Sequence, residues 1–348
     1  MSEESAVNSP ADDIPASKKQ EGDSSRIKER LANAVRARTG LGALVAGLQR
    51  GFHPQLLLAW IIVTMLPALI AALPATAWVH GQFSHSPHAE AIATGREPAL
   101  IVDALSSLGG ERALLAGSSA FAIFLAAALS PWLTGMIVAQ IRTVYRLRMG
   151  GVLRAGLGEY PRMLRMLLWS LVPSGSAVAI GLGALWLAQE QGEDAVLAAK
   201  VADVSYPAVF LLGVLLVLAH VTVEAGRGWL GADLALRSVF EAWKRGVKLL
   251  LQKPAATLTV YFGSSAVGYG LALIFGRLRM LVDPSGWLGW VLAFVLAQLV
   301  IAALAWGRSA RLHGLADLAT GTIMAQPSSA AEQQLHEATQ RQAESALS

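Results

Sequence analysis

Residues 153–173 read LRAGLGEYPRMLRMLLWSLVP, and this stretch decides the fold. Leu153, Leu157, Tyr160, Leu164, Leu167 and Leu168 recur at three- and four-residue steps, the period of a helix. Arg154, Glu159, Arg162 and Arg165 fall on the other side. A basic amphipathic turn thus feeds directly into an apolar helix. That is the pattern of a segment lying at a membrane surface before it enters the membrane.

Composition supports the same class. Of 348 residues 54% are hydrophobic and only 15% charged, against about 25% charged in an ordinary soluble domain. The charges are confined to a few clusters, with long gaps between them, as in an integral membrane protein. With no cysteine in the chain, disulfides and thiolate metal sites or nucleophiles are excluded. The net charge of +4 comes from basic residues beside apolar runs. The expected partners are therefore anionic lipid headgroups, not nucleic acid.

Six windows (54–79, 113–141, 166–189, 204–223, 254–276 and 284–307) contain no Asp, Glu, Lys or Arg. Each is long enough for a span of about 20 helical residues. The spans are read at about 56–78, 114–140, 166–188, 205–223, 255–275 and 286–306, with Trp78, Trp169, Trp186, Trp287 and Trp306 near their ends. Of the 28 Lys and Arg residues, 23 fall in the two termini and segments 142–165 and 224–253; the three alternate loops hold 5. The positive-inside rule then places both termini in the cytoplasm.

The fold expected is all-α, a six-helix polytopic bundle over 41–320 with amphipathic helices at its cytoplasmic surface. Residues 1–40 form a polar tail too poor in apolar residues to fold, with a short basic helix over 26–38, and 321–348 form a second tail with an exposed helix over 330–347. The first apolar run begins only near Leu56, so the first span is expected to serve as an uncleaved anchor. A short helix is expected over 98–108.

The opening pattern recurs. Residues 236–253, LRSVFEAWKRGVKLLLQK, place Leu236, Val239, Phe240, Trp243, Val247 and Leu250 on one helical face. Arg237, Glu241, Lys244, Arg245 and Lys248 take the other. An 83-residue shift aligns Arg162 with Arg245 and Arg165 with Lys248. A weaker copy, with Leu41, Leu44, Val45 and Leu48, precedes the first span, and its Gln49-Arg50-Gly51 matches Lys244-Arg245-Gly246. The unit of surface helix, outward span and inward span is expected three times, with Arg50, Arg162 and Arg245 at one depth. These cations, with Arg154, Arg165, Arg237, Lys244 and Lys248, are the residues expected to face headgroups or a partner. Chance matching of abundant Leu and Arg can produce part of this pattern, and internal repetition is the favoured reading.

Small residues recur at four-residue steps as Gly175, Ala179 and Gly183, and as Ser264, Gly268, Ala272 and Gly276. Such stripes let helices approach closely in lipid, which would put the third and fifth spans at the bundle centre. Gly and Ala are also simply abundant here.

Few residues can carry chemistry. His220 and Glu224 share a helical face at the end of the fourth span, where they could relay protons or bind a metal. A structural pair, with Glu224 meeting Arg227 or an arginine of 142–154, is the commoner outcome. His80, His85 and His88 near Glu90 read as a solvated loop rather than a zinc site, and His313 with Asp317 reads as surface. Gly-x-Ser-x-Gly, Walker and His-Glu-x-x-His motifs are absent, so no catalytic residue, metal or cofactor is assigned and no enzyme is expected. Pro67, Pro74, Pro131 and Pro173 could break spans and expose backbone to a substrate, although neighbouring helices usually absorb such kinks.

The run 50–74, RGFHPQLLLAWIIVTMLPALIAALP, with His85-Ser86-Pro87 and Asp103, resembles the opening of a widespread family of uncharacterised six-helix bacterial membrane proteins. Residues 224–261, with the basic helix and Lys253-Pro254, resemble its second half. A more distant likeness is to the membrane domain attached to some bacterial glycerophosphodiester phosphodiesterases, whose catalytic domain has no counterpart here. The resemblance implies an inner-membrane location. It leaves open lipid binding or scaffolding, a permease for an apolar or amphiphilic substrate, and an intramembrane enzyme using His220 and Glu224.

Overall fold

Thr39 accepts a hydrogen bond from the Gly42 N–H at 3.1 Å, which caps helix α1 (Gly40–Gly51). The computed structural model describes residues 39–89, 98–106, 109, 111–143, 147–192, 198–283 and 286–325. The tail helices expected over 26–38 and 330–347, and Glu90, lie outside the described residues. After α1 come α2 (Pro54–Phe83), α3 (Pro98–Ser106), α4 (Glu111–Arg142), α5 (Met149–Gly192), α6 (Ala198–Ala232), α7 (Val239–Gln252), α8 (Pro254–Leu281) and α9 (Trp287–Ala325). Among the described residues no strand occurs. Six helices (α2, α4, α5, α6, α8 and α9) are long and apolar enough to cross a membrane.

Local chemistry sets the helix starts. Pro54 and Pro254 open α2 and α8, where a missing N–H costs nothing. Ser238 caps α7 by accepting from the Glu241 N–H at 3.3 Å, and Glu241 lies in the first turn. Pro67, Pro74, Pro131 and Pro173 lie inside α2, α4 and α5, which continue through them, so no span is broken at these positions. The basic stretch quoted above is the first part of α5, a single 44-residue helix. At 1.5 Å per residue it extends about 66 Å, roughly twice the ~30 Å hydrocarbon thickness.

Burial is concentrated at one end of the bundle. It takes in 56–63 of α2, 131–140 of α4, 219–231 of α6 and above all 303–319 of α9. Leu312, Leu315 and Leu318 are fully buried. The described segments rich in Lys and Arg gather there, so it is called the basic end. In the opposite halves large apolar side chains are exposed, among them Ile123 and Phe124 on α4, Phe210 on α6 and Leu273 on α8.

Close backbone approach holds the basic end together. A Cβ on Gly47 of α1 would lie 2.4 Å from the Ala310 carbonyl of α9, and one on Gly268 of α8 would lie 2.9 Å from Gly307 Cα. Ser264, Gly268 and Ala272 are buried, as their spacing predicts. Gly175, Ala179 and Gly183 are not: they are exposed, and a Cβ on Gly175 or Gly183 would touch nothing within 4 Å. The interleaved stripe Ala177, Gly181 and Ala188 is buried instead, with Gly181 against Leu212 of α6. The α5 stripe expected at the centre therefore faces outward.

The short helices also bury a different stripe from the one expected. In α1 the buried positions are Ala43, Gly47 and Gly51, while Leu41 and Val45 are exposed. In α7 they are Ala242, Gly246 and Leu249, while Phe240 is half exposed. Mostly small residues, together with Leu249, face the protein, while Leu41, Val45 and Phe240 project from its side.

Candidate functional site

Glu224 lies on α6 with no exposed surface. Its Oε1 accepts from Arg227 one turn on, and its Oε2 accepts from Arg311 Nε of α9 at 3.0 Å. Arg308, also on α9, comes within 4.0 Å of Oε1. Other contacts fix the guanidiniums. Arg308 Nη2 donates to Thr134 Oγ1 of α4 at 2.9 Å, and Arg311 Nη1 donates to Ser265 Oγ of α8 at 3.0 Å. The Arg308 guanidinium lies over the Trp60 ring and that of Arg311 over Tyr261, at 5.8 and 5.1 Å from the centroids. One carboxylate therefore gathers three arginines and ties α6 to α9, with α2, α4 and α8 supporting the guanidiniums. Buried guanidinium–carboxylate pairs of this kind hold their geometry because breaking them leaves a charge unpaired in a low dielectric.

His220 and Glu224 do share a face of α6, but the carboxylate is committed to guanidiniums. His220 instead meets the Tyr261 ring edge-on at 5.8 Å. Of the two readings of this pair, the structural one describes the geometry: Glu224 meets Arg227, the first of the two alternatives expected. Among the described residues no arginine of 142–154 pairs with it, and its further partner is Arg311 of α9.

A cavity of about 240 Å³ adjoins the cluster. Arg308 and Arg311 line it together with His220, Ser265, Tyr269 and Trp60. It therefore touches the first, fourth, fifth and sixth spans, not the third.

A larger polar cavity, about 450 Å³, lies where α1, α4, α6 and α9 meet, lined by Arg50, His53, Gln140, Arg142, His313 and Asp317 among others. Arg50 Nη1 donates to Asp317 Oδ1 at 2.6 Å, and Gln140 Nε2 lies 3.1 Å from His53 Nε2. His313 is only 6% exposed, with Nδ1 2.9 Å from the Ser309 carbonyl oxygen. The sequence reading of His313 and Asp317 as surface is thus corrected: α1 covers this part of α9. Among the described residues no three His, Asp or Glu side chains are grouped so as to hold a metal ion. His80, His85 and His88 are exposed where α2 ends.

The remaining cations of the basic end divide into two sets. Arg162 and Arg142 share Glu159, at 3.0 and 3.1 Å, and Arg142 also donates to the Leu230 carbonyl of α6. Arg245 pairs with Asp233 at 2.9 Å and with Glu241. Hydrogen bonds from Lys244 and Arg245 hold the Glu241 carboxyl below its ordinary range. Arg154, Arg165, Arg237, Lys244 and Lys248 form the exposed set.

The sequence alone did not single out Arg308 and Arg311. Their signal is nonetheless present: two arginines three apart follow the last apolar run directly, and Leu312, Leu315 and Leu318 then continue at helical spacing. The architecture defines a multi-pass α-helical bundle with a charged cluster at one end. Comparisons with protein-family models, with curated proteins and with solved structures returned no match.

Proposed function

We propose that this chain is a non-enzymatic component of the bacterial inner membrane that binds anionic lipid headgroups, with both termini in the cytoplasm. The observation that carries the reading is the exposed set Arg154, Arg165, Arg237, Lys244 and Lys248 at the basic end. Each such cation near an anionic surface contributes about 1 kcal/mol. Charge asymmetry supports the orientation, and the resemblance to six-helix bacterial proteins supports the location. Reconstitution into nanodiscs of mixed phosphatidylglycerol and phosphatidylcholine tests it. Phosphatidylglycerol should be enriched among co-purifying lipids, and less so after joint replacement of Lys244, Lys248 and Arg237 by Gln. Equal retention of both lipids would count against the reading.

A permease component for an amphiphilic substrate is the second reading, favoured by the cavity beside Arg308 and Arg311. The intramembrane enzyme gains no support, because Glu224 is held by arginines and has no free oxygen to act as a base.

We also read the bundle as three copies of one unit. Trp306 of α9 donates its indole N–H to the Leu48 carbonyl of α1 at 3.0 Å, and Trp132 of α4 donates to Leu153 of α5 at 3.0 Å. In the third place the roles swap, with Trp243 of α7 donating to Thr222 of α6 at 3.2 Å. Three residues beyond Leu48, Leu153 and Trp243 stand Gly51, Gly156 and Gly246. A Cβ on each would press on the backbone nitrogen of Ala310, Met136 or Gly226, respectively. This pairing keeps Gly51 opposite Gly246 but separates the second and third copies by 90 positions, not 83. Arg162 then has no partner in Arg245, which accounts for their different acids.

A further inference from the structure

We propose that the cavity beside Arg308 and Arg311 is a binding site for a phosphate-type anion, the group carried by phospholipid headgroups and by free phosphate. The first ground is charge. Arg227, Arg308 and Arg311 surround one carboxylate, Glu224. Guanidinium does not lose its proton in proteins, so the cluster carries two uncompensated positive charges. The other acids of the basic end serve elsewhere: Glu159 holds Arg142 and Arg162, Asp233 and Glu241 hold Arg245, and Asp317 holds Arg50. Arg308 has only a share of Glu224, and at 4.0 Å it is the most distant of the three arginines around that carboxylate. A buried excess of this kind costs several kcal/mol unless an anion joins it.

Donor chemistry is the second ground. Arg308 Nε is buried without a hydrogen-bond partner, although its Nη2 is placed by Thr134. Tyr269 and His220 also line the cavity, as does Ser265, whose hydroxyl donates to the Tyr261 carbonyl and holds Arg311 in place. Arginine forks match the oxygens of a phosphate, and a neighbouring tyrosine can add a donor. At about 240 Å³ the space equals roughly eight waters at ~30 Å³ each, ample for a tetrahedral anion.

Depth is the third ground. Arg308 stands 21 residues after Trp287, the first residue of α9. At 1.5 Å per residue that is about 32 Å, close to the ~30 Å hydrocarbon thickness. With Trp287 at one interface, Arg308 reaches the level of lipid phosphates at the other. This internal site is separate from the exposed cations of the surface reading and does not depend on them.

The test uses the purified full chain in neutral detergent. Saturable binding is measured by titration calorimetry with inorganic phosphate and, separately, with short-chain phosphatidylglycerol. Glu224 keeps Arg227 and Arg311 when Arg308 is replaced, so Arg308→Gln should remain folded, as judged by its thermal midpoint. At least one probe should bind, Arg308→Gln should weaken it about tenfold or more, and Arg308→Lys should fall between. Should Arg308→Gln fail to fold, Arg308→Lys and Tyr269→Phe decide: both are expected to weaken binding several-fold. Lys244→Gln with Lys248→Gln should leave it unchanged. Binding of phosphatidylglycerol alone assigns a lipid source, and binding of inorganic phosphate assigns a free anion. Binding of neither probe, or equal binding by folded wild type and the cavity variants, would overturn the proposal.

Discussion

The two ends of this bundle use the same helices in opposite ways. At the basic end, 303–319 of α9 is almost wholly buried beneath α1, α6 and α8, and backbones approach so closely that Gly47 leaves no room for a Cβ. At the other end α4 exposes Ile123 and Phe124, and α5 exposes Leu171 and Leu182. The contrast follows from the solvent. A helix in hydrocarbon gains little by hiding a leucine, because lipid is equally apolar, and it associates through packing and polar contacts. Beyond the headgroups water returns and apolar surface must be buried. The helix lengths match this division, since both α5 and α9 are much longer than a bilayer requires. The bundle therefore has its packed core at the basic end, and helices with exposed apolar faces beyond it.

Substitutions in the two ends should separate sharply in unfolding experiments in mixed micelles. Arg311→Leu removes a partner of a fully buried carboxylate and should cost about 3–5 kcal/mol, the largest effect. Leu315→Ala in the packed end should cost about 2–5 kcal/mol, whereas Leu182→Ala in the open half should change stability by less than about 0.5 kcal/mol. Equal losses for these two leucines would remove the distinction between the ends. Gly47→Leu must displace the Ala310 and Gly314 backbone and is expected to cost about 1–3 kcal/mol. The smallest effect belongs to Gly183→Leu, which meets open space and should stay within about 0.5 kcal/mol of wild type. A large loss there would mean that the open half has a protein neighbour.

The spans and the basic end were legible in the sequence, because runs free of Asp, Glu, Lys and Arg and the placement of cations follow directly from solvation. The packing faces were only half legible. Ser264, Gly268 and Ala272 form the main small-residue stripe of α8, and they are the face it buries. On α5, by contrast, Gly175, Ala179 and Gly183 interleave with Ala177, Gly181 and Ala188, so composition could not choose between two small faces. The arginine cluster was hidden for a different reason. Arg308 and Arg311 read as the basic end of a helix because nothing local shows that α1, more than 250 residues earlier, folds over the segment that follows. Burial of His313 and Asp317 has the same distant cause. Glu224 was found, but its second arginine could be located only once α6 and α9 lay side by side.

The account rests most heavily on the basic end and the segment Pro98–Ser106 lying on opposite sides of one membrane. A chain without cysteine is well suited to a test by single introduced thiols. Asp103→Cys and Lys248→Cys, each in the full chain, would be exposed to a membrane-impermeant maleimide in intact cells and in inverted vesicles. Asp103→Cys should be labelled in intact cells and Lys248→Cys only in inverted vesicles. Labelling of both positions from the same side would contradict the topology and, with it, the assignment of the packed basic end to the cytoplasmic surface.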